Sequence, residues 1–130
     1  MPEFSRYSII NLESCDERLQ VICKDAIAIY DFAVVCGQRN EQQQEKLFQE
    51  HKTKVHYPNS KHNKTPSLAV DLVPYPTLYT SIPHFHILAG IMFGIAANYG
   101  VELRWGGDWD GDWDLKDQTF FDLPHFEIIE

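Results

Sequence analysis

The sequence predicts an α+β fold in which helices pack on a small, mostly antiparallel sheet. Three observations predict it. Short apolar runs rich in β-branched or aromatic residues, FAVVCG, SLAVDLV, VELRW and HFEII, read as strands. Segments with apolar residues at helical spacing lie between them. The two kinds follow each other without the regular strand–helix–strand alternation that builds a parallel sheet. With 130 residues, 44% of them apolar and 23% charged, the chain can bury one hydrophobic core and is expected to form one domain over residues 1–130.

Each element has a local reason. Ser14 followed by Glu17 reads as a capping box opening a helix over residues 14–30, with Leu19, Ile22, Ala26 and Ile29 on its buried face. FAVVCG is a short buried strand ended by Gly37. Asn40 is suited to cap a mostly polar helix, EQQQEKLFQEH, whose apolar contacts are Leu47 and Phe48. Residues 55–66, punctuated by Pro58 and Pro66, read as a loop. SLAVDLV is a strand closed by Pro74 and Pro76, and a third helix follows Pro83 over residues 84–99, with Gly100 as its cap. VELRW is a strand, GGDWDGDWDLKDQ an acidic loop and HFEII the last strand.

The charge balance excludes some functions. Eleven basic against 19 acidic residues give a net charge of −8, which argues against non-specific nucleic-acid binding, since that needs clustered Lys and Arg. The longest apolar stretch, ILAGIMFGIAA, is too short to span a bilayer, so membrane insertion is not expected. The N-terminus has no basic segment leading into an apolar run, so no signal peptide is expected and synthesis is placed in a reducing cytoplasm. Cys15, Cys23 and Cys36 form no CxxC pair and sit in apolar contexts, as reduced core thiols would.

One residue breaks the pattern. Asp71 lies in an apolar run among Leu68, Ala69, Val70, Leu72 and Val73. A buried carboxylate is unfavourable unless it is paired, hydrogen-bonded or bound to a metal. His51 and His56 belong to a polar stretch and are expected in solvent. His84 and His86, two apart at a helix start, diverge. His125 repeats the anomaly of Asp71, lying in the apolar run FFDLPHFEII together with Asp122 and Glu127. His62, Asp71 and His125 would make a sound zinc set with a fourth position left for water. A structural salt-bridge cluster would account for the same residues equally well.

The motifs also carry a resemblance. SKH, then AVD, then DLPHFE near the C-terminus resemble the M15 family of zinc peptidases, most closely its phage L-alanyl-D-glutamate endopeptidases (the M15C branch). VVCGQRN resembles the strand and Gly-x-Arg ahead of that family's glutamine-bearing helix, and VELRWGGDW resembles the segment that enters the second half of its site. The family usually has six residues between the His and the Asp, with a glycine at the turn. Here eight intervene, and Ser67 stands where that glycine would be.

The resemblance implies a Hedgehog/DD-peptidase-like fold and a zinc enzyme that hydrolyses peptidoglycan stem peptides between L-Ala and D-Glu in phage-driven lysis. By it His62, Asp71 and His125 bind one Zn²⁺, Asp122 is the general base, and Arg39 holds the developing oxyanion or a substrate carboxylate. Asp122 and His125 would point to opposite faces of a straight strand, so they converge only across a bend, which Pro124 favours. Glu127 is placed to orient His125 through its second nitrogen, or else faces outward. Ser60 either contacts substrate or forms the turn. The other readings are a D-alanyl-D-alanine carboxypeptidase and an inactive wall-binding module that keeps the zinc. The expected partner is peptidoglycan, acted on by a monomer after release from the host cytoplasm. Asp108, Asp110, Asp112, Asp114 and Asp117 crowd one loop, which suits either Ca²⁺ or a solvated acidic turn with no ion.

Overall fold

The computed structural model describes residues 2–76, 81–117 and 121–130. Among the described residues, four helices, α1 (Arg6–Glu13), α2 (Glu17–Ile27), α3 (Glu41–Gln49) and α4 (Ile82–Asn98), accompany four strands, β1 (Phe32–Cys36), β2 (Ala69–Pro74), β3 (Leu103–Gly106) and β4 (Asp122–Ile128). The strands form one sheet in the order β1-β2-β4-β3, and every pairing is antiparallel. The α+β expectation holds.

The core lies where α2 and α4 meet the sheet. Leu19, Ile22, Cys23 and Ala26 from α2 join Phe85, Leu88 and Met92 from α4 against Val70, Leu72, Phe126 and Ile128 of the strands. Burying each large apolar side chain contributes roughly 1.5–3 kcal/mol. Side chains alternate between the faces of a strand. With Val70, Leu72, Phe126 and Ile128 turned to the core, Asp71, His125 and Glu127 are carried to the opposite face. That alternation creates the site.

The chain's beginning departs from expectation. Ser14 does not open a helix; it ends α1, its hydroxyl donating to the Asn11 carbonyl at 2.6 Å. α2 is capped by Asp16, whose carboxylate accepts from the Arg18 backbone N–H at 2.9 Å. α2 stops at Ile27, so Ile29 lies beyond its last turn and is exposed. α1 itself was not foreseen. It covers β1, an edge strand, with side-chain hydrogen bonds: the Val34 N–H donates to Ser8 Oγ at 2.9 Å, and Asn11 Nδ2 donates to the Val34 carbonyl at 2.9 Å. An unpaired strand edge is thereby closed.

The remaining boundaries move little. Asn40 caps α3 in a full capping box with Gln43. α4 begins at Ile82 with Pro83 in its first turn and gives way to Gly100 at φ 69°. β3 begins at Leu103, two residues later than VELRW suggested, and β4 begins at Asp122, three residues earlier than HFEII. Within residues 55–66 the loop tightens into a 3-10 turn, Lys61–Asn63, that carries His62. Gln118 and the side chain of Asp117 fall outside the described part of the chain.

Candidate active site

His62, Asp71 and His125 come together from three elements. His125 is the register partner of Asp71 across β2 and β4, and the 3-10 turn lowers His62 onto the same place. His62 Nε2 lies 3.2 Å and His125 Nδ1 3.3 Å from the same oxygen, Asp71 Oδ1. The imidazoles are only 2% and 7% exposed.

Their other nitrogens are tied off. His62 Nδ1 lies 2.7 Å from the Gly37 carbonyl oxygen, which can only accept, so Nδ1 carries the proton. His125 Nε2 lies 2.8 Å from Glu127 Oε1 and donates to it in the same way. In the neutral rings, the lone pairs of His62 Nε2 and His125 Nδ1 then both face a carboxylate oxygen. Three acceptors converging on one point need a cation or extra protons between them. Both nitrogen–oxygen spacings are close to the about 3.4 Å that bonds of 2.0–2.2 Å to a tetrahedral zinc impose on neighbouring ligand atoms. Two imidazoles and a carboxylate are ligand types that zinc takes.

Without a cation, protons fill that role. Burial opposes charging His62, but the Asp71 charge and hydrogen bond outweigh it and lift its pKa to about 10. Burial would raise the Asp71 carboxyl, yet His62 and His125 hold it well below the usual carboxylate range. His125 is lifted as well, against burial, by Asp71 and Glu127.

Among the described residues, the groups here whose ligand atoms all lie within 4.8 Å of one another are two overlapping ones, and His62, Asp71 and His125 together are not among them. Asp71, Asp122 and His125 place one ligand atom each within 4.8 Å of one another, and so do Cys36, His62 and Asp71. The first group brings Asp122 to the site. β4 achieves this with an irregularity: Gly106 pairs with Asp122 but Trp105 pairs with Phe126, so residues 123–125 bulge and positions 122 and 125 reach one side. Burial, reinforced by the Asp71 charge, raises the Asp122 carboxyl above its ordinary value.

Arg39 is turned towards Asp71. Its guanidinium lies 3.7 Å from Asp71 Oδ2, donates to Gln44 Oε1 at 2.9 Å and reaches Cys36 Sγ at 3.5 Å. Asp71 thus faces two imidazoles with one oxygen and an arginine with the other. Gln44, fully buried on the otherwise polar α3, also accepts from Asn63 Nδ2 at 3.2 Å and donates to the Val55 carbonyl at 2.6 Å. It fastens the Arg39 loop to the turn that carries His62.

Glu127 faces inward, 8% exposed, held by His125, by Arg104 at 3.2 Å and by Lys61 at 3.7 Å. Ser60 is the cap of the 3-10 turn, its hydroxyl accepting from the His62 N–H at 3.2 Å, which is the turn-forming alternative. Ser67 is fully buried, its Oγ bonded to both the N–H and the carbonyl of Ala69. It fills the family's glycine position with a hydroxyl that has local partners. Gly37 must stay small, since a Cβ there would come within 2.2 Å of the Asn11 carbonyl oxygen.

One reading of a side chain needs correction. Cys36 is not a core thiol like Cys15, whose pKa burial pushes up to about 12. It borders the site, and although burial raises it, His62 and Arg39 bring its thiol below the ordinary value. Its register partnership with Asp71 on β2 is the signal that could have found it. Trp109 is a further neighbour, its ring 5.3 Å from that of His125. The other histidines stay apart: His56 pairs with Glu45 in solvent, and His84 and His86 are exposed. In the acidic loop Asp108, Asp110 and Asp112 gather their carboxylates within 4.8 Å, with Asp114 next in line. These side chains accept from loop N–H groups, Asp108 from Trp113 at 3.0 Å and Asp112 from Asp114 at 2.8 Å.

No curated protein sequence matches the chain. Among solved structures, the crystal structure of Serratia marcescens L-Ala D-Glu endopeptidase ChiX superposes with a TM-score of 0.78 at 22% identity, covering 98% of this chain and 90% of that one. That likeness carries the fold. A family model described as phage L-alanyl-D-glutamate peptidase matches residues 2–129. The match leaves out only the two terminal residues, so the chain belongs to the phage L-alanyl-D-glutamate peptidase family and is an endopeptidase for the bond between L-alanine and D-glutamate.

Proposed function

We propose that this enzyme is a zinc-dependent endolysin of one domain, cutting peptidoglycan stem peptides with His62, Asp71 and His125 as metal ligands and Asp122 as general base. One observation supports the ligand set above the rest. Both imidazoles have their far nitrogens fixed as donors, to Gly37 and to Glu127, so their lone pairs converge with Asp71 Oδ1. Zinc bound there would polarise the scissile carbonyl and lower the pKa of water from 15.7 to about 7.

The chain's own groups do the rest. Asp122 accepts the proton of the attacking water and delivers it to the leaving D-Glu nitrogen; its raised pKa suits both halves of that task. Arg39 offers positive charge to the developing oxyanion or to the free α-carboxylate beside the leaving nitrogen. Glu127 and the Gly37 carbonyl keep the imidazoles in the correct tautomers. Burial would raise the Glu127 carboxyl, but His125, and after it Lys61 and Arg104, hold it below its ordinary value.

The protein would be made in the host cytoplasm, act as a monomer and reach the wall after release. Among the described residues no helix is long and apolar enough to cross a membrane. Asp108, Asp110 and Asp112 could hold a Ca²⁺ ion or form a solvated acidic turn. Metal analysis tests the reading: one zinc per chain in the purified enzyme, and a metal-free His125→Ala. Finding no zinc in the active enzyme, or a full complement in His125→Ala, would contradict it.

A further inference from the structure

We infer that Trp105, Gly106 and Gly107 act as a positioning device for Asp122, setting where its carboxylate stands relative to Asp71 and His125. The inference rests on the proposed role of Asp122 as base. Its basis is the way β3 meets β4.

Opposite the step from Trp105 to Gly106, β4 advances from Phe126 back to Asp122, leaving residues 123–125 without register partners on β3. Such a bulge re-aims side chains, but an unsupported one is free to relax. Two contacts fix this one. The Trp105 indole N–H donates to the Leu123 carbonyl at 2.7 Å, inside the bulge. Gly106 lets the Asp122 backbone approach so closely that a Cβ at 106 would stand 1.9 Å from the Asp122 carbonyl oxygen and 3.0 Å from the Asp122 Cβ. That obstruction is backbone, which cannot swing aside as the end of a side chain can.

Gly107 completes the arrangement. A Cβ there would meet the Trp105 ring at 2.5 Å, so its absence leaves room for the indole that holds Leu123. The ring is 4% exposed and stacks on Phe126, with centroids 6.4 Å apart and planes at 20°. The indole is therefore braced from the core side while its N–H reaches the bulge. None of the three residues touches the reacting atoms. They act through the backbone of Asp122 and Leu123, and so should govern turnover without governing substrate affinity or metal retention.

The experiment compares Gly106→Ala and Trp105→Phe, each alone and combined with Asp122→Ala, in the full-length metal-loaded enzyme. Trp105→Phe keeps an aromatic ring and removes the N–H. Gly90→Ala, a helical glycine with open space around it, controls for glycine replacement and should leave activity unchanged. A misplacement of about 1 Å costs on the order of 10²-fold in rate. Each of the two variants should therefore lower kcat by about ten- to a hundredfold, with KM within about twofold and metal content unchanged. Neither should add to the loss already caused by Asp122→Ala, because both act through that carboxylate.

A folded Gly106→Ala enzyme with wild-type kcat would overturn the inference, as would losses that add in full to that of Asp122→Ala. If Gly106→Ala does not fold, Trp105→Phe decides by the same criteria. An Asp122→Ala enzyme that itself turns over normally would remove the base assignment and this inference with it. That failure is distinguishable because it is read with residues 105 and 106 intact.

Discussion

Asp71 was legible from the sequence because a carboxylate among Val and Leu needs a reason, and His125 was legible on the same ground. Their companions were harder to see. Glu127 and Asp122 could be named but not aimed, since the bulge that turns Asp122 toward the site depends on pairing between β3 and β4. Cys36 and Gln44 were missed in their roles: one looked like a core thiol and the other like one of four glutamines on a polar helix. Roles at this scale separate by substitution. Asp122→Ala should keep its metal and its fold while kcat falls by about 10²–10⁴, the usual contribution of a general base. Loss of metal from that variant, read by metal analysis beside the rate, would make Asp122 a ligand instead. The metal-free protein should also show the protons that stand in for the metal. His62 is raised to about 10 from its ordinary 6.5, so its contribution to stability is complete below about 6.5 and is lost as pH rises towards 10. Asp71 is depressed, so its contribution is present above about 4 and lost as pH falls. Thermal unfolding of chelated protein should accordingly peak between these limits. With zinc bound, the decline on the alkaline side should disappear.

At the scale of elements, the strands and the three larger helices follow from β-branched runs, capping residues and apolar spacing. α1 does not, and the reason is physical. Its exposed side chains include Tyr7, Ile9 and Ile10, and its attachment to β1 is made by polar side chains meeting strand backbone, which leaves no apolar stripe to read. Ser14 misled because a hydroxyl that ends one helix resembles one that begins the next. The Ser8 contact gives a direct test of the edge cover. Ser8 is 1% exposed, and its replacement by Ala would leave the Val34 N–H buried without that partner. The expected cost is about 1–3 kcal/mol in denaturant unfolding, with zinc content unchanged. A variant as stable as the wild type would mean that water or a shift of α1 satisfies the strand edge.

For the whole molecule, one sheet separates two tasks. Its core face is held by α2 and α4, while its other face carries Asp71, His125 and Glu127 beside the turn bearing His62. On that face the cations are spent on the carboxylates: Arg39 lies beside Asp71, and Lys61 and Arg104 beside Glu127. The strand register that places the metal-ligand candidates is therefore the same register that buries the core, and a slip by one residue would lose both. The claim at the centre of this account is zinc-dependent cleavage between L-Ala and D-Glu. Mass spectrometry of purified peptidoglycan digested by the enzyme tests it most directly, with a parallel digest by chelated enzyme and a third after zinc is restored. Zinc-dependent cleavage at this bond yields stem-peptide fragments beginning with D-Glu, absent after chelation and recovered with zinc. Release of D-Ala alone, or the same fragments from enzyme shown to be metal-free, would contradict it.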